Sequence, residues 1–420
     1  MPGATTTHAT TAQLSRNDRL FDWYLMPEAY SAQLVHAAIE EFELGAGHTV
    51  LDPFCGTGTT LVASMLRGHN ALGIEINPFL CFASRTKTRT DLDPSTLKLE
   101  TEVLLAEARP ILKRMDGEAG CPAALGDQLP DMPRLERWIA RRVACKVLAL
   151  RRCIEEYVSQ QHRDVPMLAL ASILRSVSNM KLSPHAFGSR EVKRDAPVMC
   201  MFERKLSKML DDVQWLQERK AHEALGRAEV IQADVREAGG LSHPLLPAAL
   251  AITSPPYLNN LDYTMQTRLE LFFLGFVKDM NELKALRKRM MVSDAKAMYR
   301  DVEDWRRVER VESIRLVAEA IDERLGHRGW GWDYGRMTRQ YFGGLLRAME
   351  AVRSMLAPGA HLVMILGESA HGGVLVPVPD LAAELGRLAG YRHARVRTLR
   401  TRRSSSHAYN LKECAVVLST

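Results

Sequence analysis

The sequence predicts an α/β fold: a mostly parallel sheet, a C-terminal antiparallel hairpin and a large helical insertion. Three observations carry this. Residues 48–77 read as strand, glycine turn, helix and strand, a βαβ unit that requires parallel strands. After a long gap, strand-like runs return at AEVIQAD (228–234) and ALAITSPPY (249–257). The end, ARVRTLRTRRSSSHAYNLKECAVVLST, reads as two strands around a basic loop.

Taken in order, MPGATTTHATTAQ has no apolar block and predicts a flexible tail over 1–24. EAYSAQLVHAAIEEFEL (28–44) spaces Leu34, Ala37, Ile39 and Phe42 for an amphipathic helix. HTVLDPF is a buried strand, LVASMLRG a helix ending at Gly68, and NALGIEIN a second strand closing on Glu75. Strand signals then vanish to about 225. RLERWIARRVACKVLALRRCIEEYV puts Leu135, Trp138, Ile139, Val143, Val147 and Ile154 near one face of a helix. Further helices are expected over 167–180 and 201–224, around a polar, basic loop KLSPHAFGSREVKRDAP. The insertion is therefore placed at 85–225, within a catalytic domain made of 25–84 and 226–420. A smaller helical insertion is expected at 280–335. A helix over 338–356 leads into the strand HLVMILGES.

Bulk properties narrow the function classes. The chain has 420 residues, a net charge of +6 and 25% charged residues, compatible with a polyanionic partner. Seven cysteines without a CxxC pair or Cys/His cluster indicate neither a disulfide framework nor a metal site, and a reducing cytoplasm fits. No run approaches the roughly 18 apolar residues of a membrane span.

Two stretches carry chemistry. DPFCGTGTT sets two glycines after a strand-end acid, where backbone can approach a ligand and a helix N-terminus offers unpaired N–H groups. Glu75, twenty-three residues after Asp52, ends the next strand, where an acid can accept from both hydroxyls of a ribose. Leu61 replaces the third glycine of GxGxxG, and no Gly-Lys-Ser/Thr follows, which argues against dinucleotide and nucleoside-triphosphate sites. TSPPY then leaves a strand through two prolines that donate no hydrogen bonds and hold the turn stiff.

With these two motifs, each capping an expected strand, the chain resembles the S-adenosylmethionine-dependent amino-methyltransferases of DNA. The resemblance covers roughly 25–80 and 226–420 and implies a Rossmann-like methyltransferase fold. It implies that Asp52, Pro53, Phe54, Cys55, Gly56, Thr57, Gly58, Thr59 and Thr60 surround the methionine part of S-adenosylmethionine. Glu75, with Ile76 and Asn77, would hold the ribose, and Asp234 and Val235 would sit near the adenine amino group. Tyr30 matches a weak N-terminal cofactor motif, and core packing is an equal reading of it.

An exocyclic amine is a poor nucleophile, because its lone pair is delocalised into the ring. Acceptors aimed at its N–H groups stabilise the charge that develops. Ser254 and the Pro255 carbonyl are the expected acceptors, Pro255 and Pro256 hold them still, and Tyr257 stacks on an extruded base. No covalent intermediate and no metal is required. In the family, serine where Asp is common is associated with cytosine N4 methylation; adenine N6 stays open, as does an RNA enzyme of the transfer-RNA guanosine-N2 type. Double-stranded DNA is the implied partner, in a bacterial or archaeal cell, and a cognate restriction endonuclease is left open. Candidate nucleic-acid contacts are Lys181, His185, Arg190, Lys193 and Arg194 in the insertion, Asn259 and Asn260 after the catalytic turn, and Arg402 and Arg403 in the terminal loop. The insertion is the leading target-recognition element.

Overall fold

The computed structural model describes residues 11–116, 121–183, 185–188, 193–295, 298–299, 302–326, 333–403 and 410–420. Strands β1 (Thr49–Asp52), β2 (Asn70–Glu75), β3 (Met180–Ser183), β4 (His185–Gly188), β5 (Ala228–Gln232), β6 (Ala248–Thr253) and β7 (Leu356–Gly367) are followed by β8 (Ser369–His371), β9 (Val374–Val376), β10 (His393–Arg403) and β11 (Asn410–Ser419). Seven form one sheet, in the order β10-β11-β7-β6-β1-β2-β5. The strands from β7 to β5 pair in parallel, while β11 is antiparallel to β7 and β10 to β11. The α/β, Rossmann-like expectation with its terminal hairpin holds.

Both faces of this sheet are covered, which is why its strands read as continuous apolar runs instead of alternating ones. Successive residues go to opposite sides. Val50, Leu250, Ile252, Val363 and Ile365 join one core with the helices Ala32–Glu41, Thr59–Met65, Pro78–Lys87 and Pro94–Met115. Leu51, Leu72, Ala251, Leu362 and Met364 join a second core under Tyr334–Met355 and Val378–Leu388.

The helices of the 85–225 region, including Arg141–Tyr157, Asp164–Val177 and Val198–His222, belong to the first of these cores. Leu104, Val147, Leu170 and Phe202 are fully buried in the same cluster as the sheet residues. Among its described residues, the region thus adds depth to one face of the sheet, sharing the first core.

Several expectations are corrected. Residues 11–24 are packed, against the expected tail. Trp23 is buried and its indole donates to Asp212 Oδ2 at 2.9 Å, which also accepts from the Leu20 N–H at 3.0 Å. Phe21 and Tyr24 are buried beside it. Burying large aromatic surface outweighs the ordering of so short a segment, each ring bringing roughly 150–250 Å². The first helix starts at Ala32, so Glu28 and Tyr30 precede it. The helix expected across 134–158 breaks at Ile139, which is extended between Leu135–Trp138 and Arg141–Tyr157. The polar loop after Lys181 includes the small hairpin β3–β4. A disulfide joins Cys121 to Cys145, against the reading of the cysteines as unpaired. Among the described residues, no helix is long and apolar enough to cross a membrane.

Candidate active site

The sheet order changes direction at β1. From it the chain runs outward through β2 to β5 on one side, then returns to place β6 and β7 on the other. Such a switch point opens a crevice beyond the C-terminal strand ends. Parallel pairing of Val50 with Leu250 and Leu51 with Ala251 brings the residues after β1 and β6 side by side. The glycine turn follows the first and SPPY the second. One cleft is lined by Asp52, Gly56 and Glu75 together with Ser254, Pro256 and Tyr257.

Asp52 joins the two halves. Its Oδ1 accepts from Thr253 Oγ1 at 2.7 Å and from the Phe54 N–H at 3.1 Å. Its Oδ2 accepts from Thr60 Oγ1 at 2.6 Å and Tyr30 OH at 3.0 Å. Burial pushes this carboxyl up from its ordinary range, opposed by those same hydrogen bonds. Four donors on two oxygens leave little capacity for a ligand. The residue acts as a clamp between β1, β6 and the N-terminal segment.

Glu75 organises the other wall. One oxygen accepts from the Gly56 N–H at 2.9 Å and the other from the Asn77 N–H at 2.7 Å. Burial raises its carboxyl to about 7, against the pull of those two N–H groups. Each oxygen keeps one lone pair for a further donor. Gly56 has φ +50° and open space where a Cβ would stand, while Gly58 at φ +81° would bring a Cβ to 2.9 Å from Ser84 Oγ. The first glycine keeps the cleft wall low and the second lets the turn pack.

On the facing wall, Ser254 lines the cleft and its Oγ donates to the Ile365 carbonyl at 3.4 Å. Pro255 is buried and lies outside the cleft lining, so of the two expected acceptors only the Ser254 hydroxyl lines it. Tyr257 is held at both ends. Its N–H donates to Tyr263 OH at 3.3 Å, and its hydroxyl donates to Glu413 Oε1 at 3.0 Å. Glu413, on β11, is buried and also paired with Arg400 of β10. Burial, then the Glu413 charge, raises the Tyr257 phenol well above its usual range, so it stays a neutral donor.

The acidic side chains lining the cleft are Glu28, Asp52, Glu75 and Asp234; no Lys, Arg or His lines it among the described residues. Such a wall suits a ligand with cationic character. Asp234, expected beside an adenine amino group, is already engaged. Arg236 grips it through Nε and Nη2 at 3.0 and 2.7 Å, and turns its Nη1 to Asp304 at 2.6 Å.

The remaining expectations divide. Tyr30, Pro53, Phe54, Cys55, Thr57, Thr59, Ile76 and Val235 line the cleft. Gly58, Thr60 and Asn77 do not. Asn77 caps the helix Pro78–Lys87, accepting from the N–H groups of Phe79 and Leu80. Cys55 is buried, its sulfur 2.7 Å from where a Cβ on Gly73 would stand, so it fills space against β2. Asn259 is exposed, but Asn260 accepts from the Ala295 N–H at 2.9 Å and serves the backbone. Lys181, Arg194 and Arg403 are exposed; Lys193 Nζ donates to the Ser176 carbonyl at 3.0 Å and Arg402 Nη2 to the Glu368 carbonyl at 3.4 Å. His185 lies on β4, its side chain outside the described set, and Arg190 lies outside the described residues. The sequence reading missed Glu413. An acid at an inward position of an otherwise apolar strand, as in LKECAVVL, is the signal that would have flagged it.

A family model described as DNA methylase matches residues 13–85. Over 94% of its length the chain is 22% identical to the Type II methyltransferase M.BsoBI of Geobacillus stearothermophilus, covering 83% of that protein. It is 29% identical to the Type II methyltransferase M.MvaI of Kocuria varians over 31% of this chain and 28% of that one. With the Type II methyltransferase M.AvaI of Anabaena variabilis it is 38% identical over 16% of this chain and 14% of that one. A solved rRNA methyltransferase from Streptomyces viridochromogenes overlaps 93% of this chain and 85% of its own at 12% identity. Its TM-score, 0.28, is too low to bear on substrate or fold.

Proposed function

We propose that this chain, which belongs to the DNA amino-methyltransferase family, methylates the N4 amino group of a cytosine rotated out of duplex DNA, in the cytoplasm. The observation that carries the reading is the single cleft walled by the glycine turn and Glu75 on one side and by Ser254 and Tyr257 on the other. The cofactor of this reading, S-adenosylmethionine, supplies a methyl group on a sulfonium and so an electrophilic carbon.

The residues present fit that cofactor. The acid-lined cleft, without a facing Lys or Arg among the described residues, suits a positively charged sulfur. Glu75 keeps one free lone pair on each oxygen for a pair of hydroxyl donors. On the other wall, the Ser254 hydroxyl accepts from the amine N–H and favours a nitrogen whose lone pair points at the methyl carbon. Tyr257 offers a ring face for the base. Stacking contributes about 1–3 kcal/mol, enough to offset much of the few kcal/mol that extrusion costs. Its hydroxyl, anchored on Glu413, limits the positions the ring can take. The choice of cytosine rests on Ser254 standing where the family commonly has Asp.

Nucleoside mass spectrometry of DNA from cells expressing the chain tests this. N4-methylcytosine is expected with the wild type and none with Ser254→Ala, Tyr257→Ala. N6-methyladenine would overturn the base assignment, and methylated RNA with unmodified DNA would overturn the substrate class.

A further inference from the structure

A second concavity lies behind the segment that forms the cleft's N-terminal wall. Among the described residues, five cations line it, Arg16, Arg175, Arg204, Lys205 and Lys208, against one acid, Asp22. Their neutralisation is incomplete. Lys205 and Lys208 share the Asp22 carboxylate. Arg175 leans on Glu270 at 3.7 Å and over the Tyr24 ring. Arg16 and Arg204 are exposed and, among the described residues, have no hydrogen-bond or ion-pair partner.

The arrangement is built by the helix Val198–His222. Met201, Arg204, Lys205 and Lys208 stand at i, i+3, i+4 and i+7, and so on one helical face. Arg204 and Lys208 are thereby separated by about 6 Å along the axis. Duplex DNA carries one phosphate per about 3.4 Å of helix axis on each strand, so such a stripe spans about two of them. Guanidinium forks such as those of Arg16 and Arg204 match phosphate oxygens in pairs. The groove also adjoins the cleft. Tyr24 and Leu25 line the first and Met26 lines the second, with consecutive Cα atoms about 3.8 Å apart.

We propose that this groove is a phosphate track that holds the DNA backbone beside the methyl-transfer cleft, with Arg16 and Arg204 as its phosphate ligands. The proposal rests on the methyltransferase reading above, because that reading is what brings duplex DNA to the cleft.

The test is fluorescence anisotropy with a labelled, unmodified DNA duplex across a range of salt, comparing the wild type with Arg16→Ala, Arg204→Ala. Losing two phosphate contacts should lower the slope of log affinity against log salt by about 1.8. Affinity near physiological salt should fall on the order of tenfold, with the melting temperature and calorimetric S-adenosylmethionine binding unchanged. Each single variant should lose about half of the slope change. An unchanged slope in a wild type that binds DNA would overturn the track while leaving the methyltransferase reading intact. The same residues governing single-stranded RNA binding instead would also overturn it. A wild type that takes S-adenosylmethionine but neither binds DNA nor methylates it would remove both proposals.

Discussion

The cleft and the groove sit on either side of one short segment and use charge in opposite ways. The cleft is lined by four acids and no base among the described residues, the groove by five bases and one acid. In the cleft, charge is committed in advance. Asp52 takes four donors, Glu75 two backbone N–H groups, and Asp234 the guanidinium of Arg236. In the groove, the two outer guanidiniums are exposed and without described partners. Preorganised charge holds a small ligand in one pose, because little reorganises when it arrives. Free, exposed charge on flexible stems suits a repetitive polyanion, for which pose matters less than the number of contacts.

The comparison breaks most severely at Asp52. Asp52→Ala strips the partners of buried Thr60, Tyr30 and Thr253, at about 1–3 kcal/mol for each group left unsatisfied. Chemical denaturation should show a loss of about 3 kcal/mol, and cofactor binding should disappear. Arg16→Ala, Arg204→Ala should leave unfolding unchanged. Equal destabilisation by the two variants would erase the distinction between committed and free charge.

Glu75 sharpens it. Its carboxyl is raised by burial from 4.5 to about 7, so the folded state holds its proton longer than the unfolded chain does. The stability linked to this proton is present below about pH 4.5 and is lost as pH rises through about 7. A ligand whose hydroxyls donate to the carboxylate favours the ionised form, so binding should release a proton. Affinity for S-adenosylmethionine, by calorimetry, should rise up to about tenfold from pH 6 to pH 8. Glu75→Gln should bind more weakly and flatten the profile. A wild-type affinity that falls with pH would contradict the ribose role.

The smallest effect is expected at the tyrosine anchor. Tyr257→Phe keeps the ring and removes its bond to Glu413, a contact of about 1.5–3 kcal/mol to a charged acceptor. Turnover should drop about tenfold or less with cofactor affinity unchanged, and adding Glu413→Gln should cost little more. Fully additive losses would show that β11 does not position the ring.

The fold class, the strand pairings of the βαβ unit and the terminal hairpin were readable because they follow from local period and turn chemistry. Gly56 and Gly58 announce a turn wherever they are placed, and apolar strands of four and six residues before and after the turn leave few topologies. The N-terminal segment was misread because a stretch rich in Thr and Ala precedes its aromatics, and composition says nothing about a partner such as Asp212 far along the chain. The break at Ile139 escaped for a related reason: its apolar spacing continues the helical pattern across a turn of extended backbone.

What the sequence determined alone was therefore a pair of motifs, each with a local conformation and a chemistry suited to one half of a transfer reaction. What only the tertiary structure decided was which side chains are already occupied. Asp52 bonds to Thr253, Asp234 to Arg236 and Tyr257 to Glu413, and the groove draws Arg16, Arg175 and Arg204 from three separate segments. Turn geometry is set by a few consecutive dihedrals, whereas the state of a carboxylate or guanidinium depends on neighbours that only the folded chain brings within 3 Å.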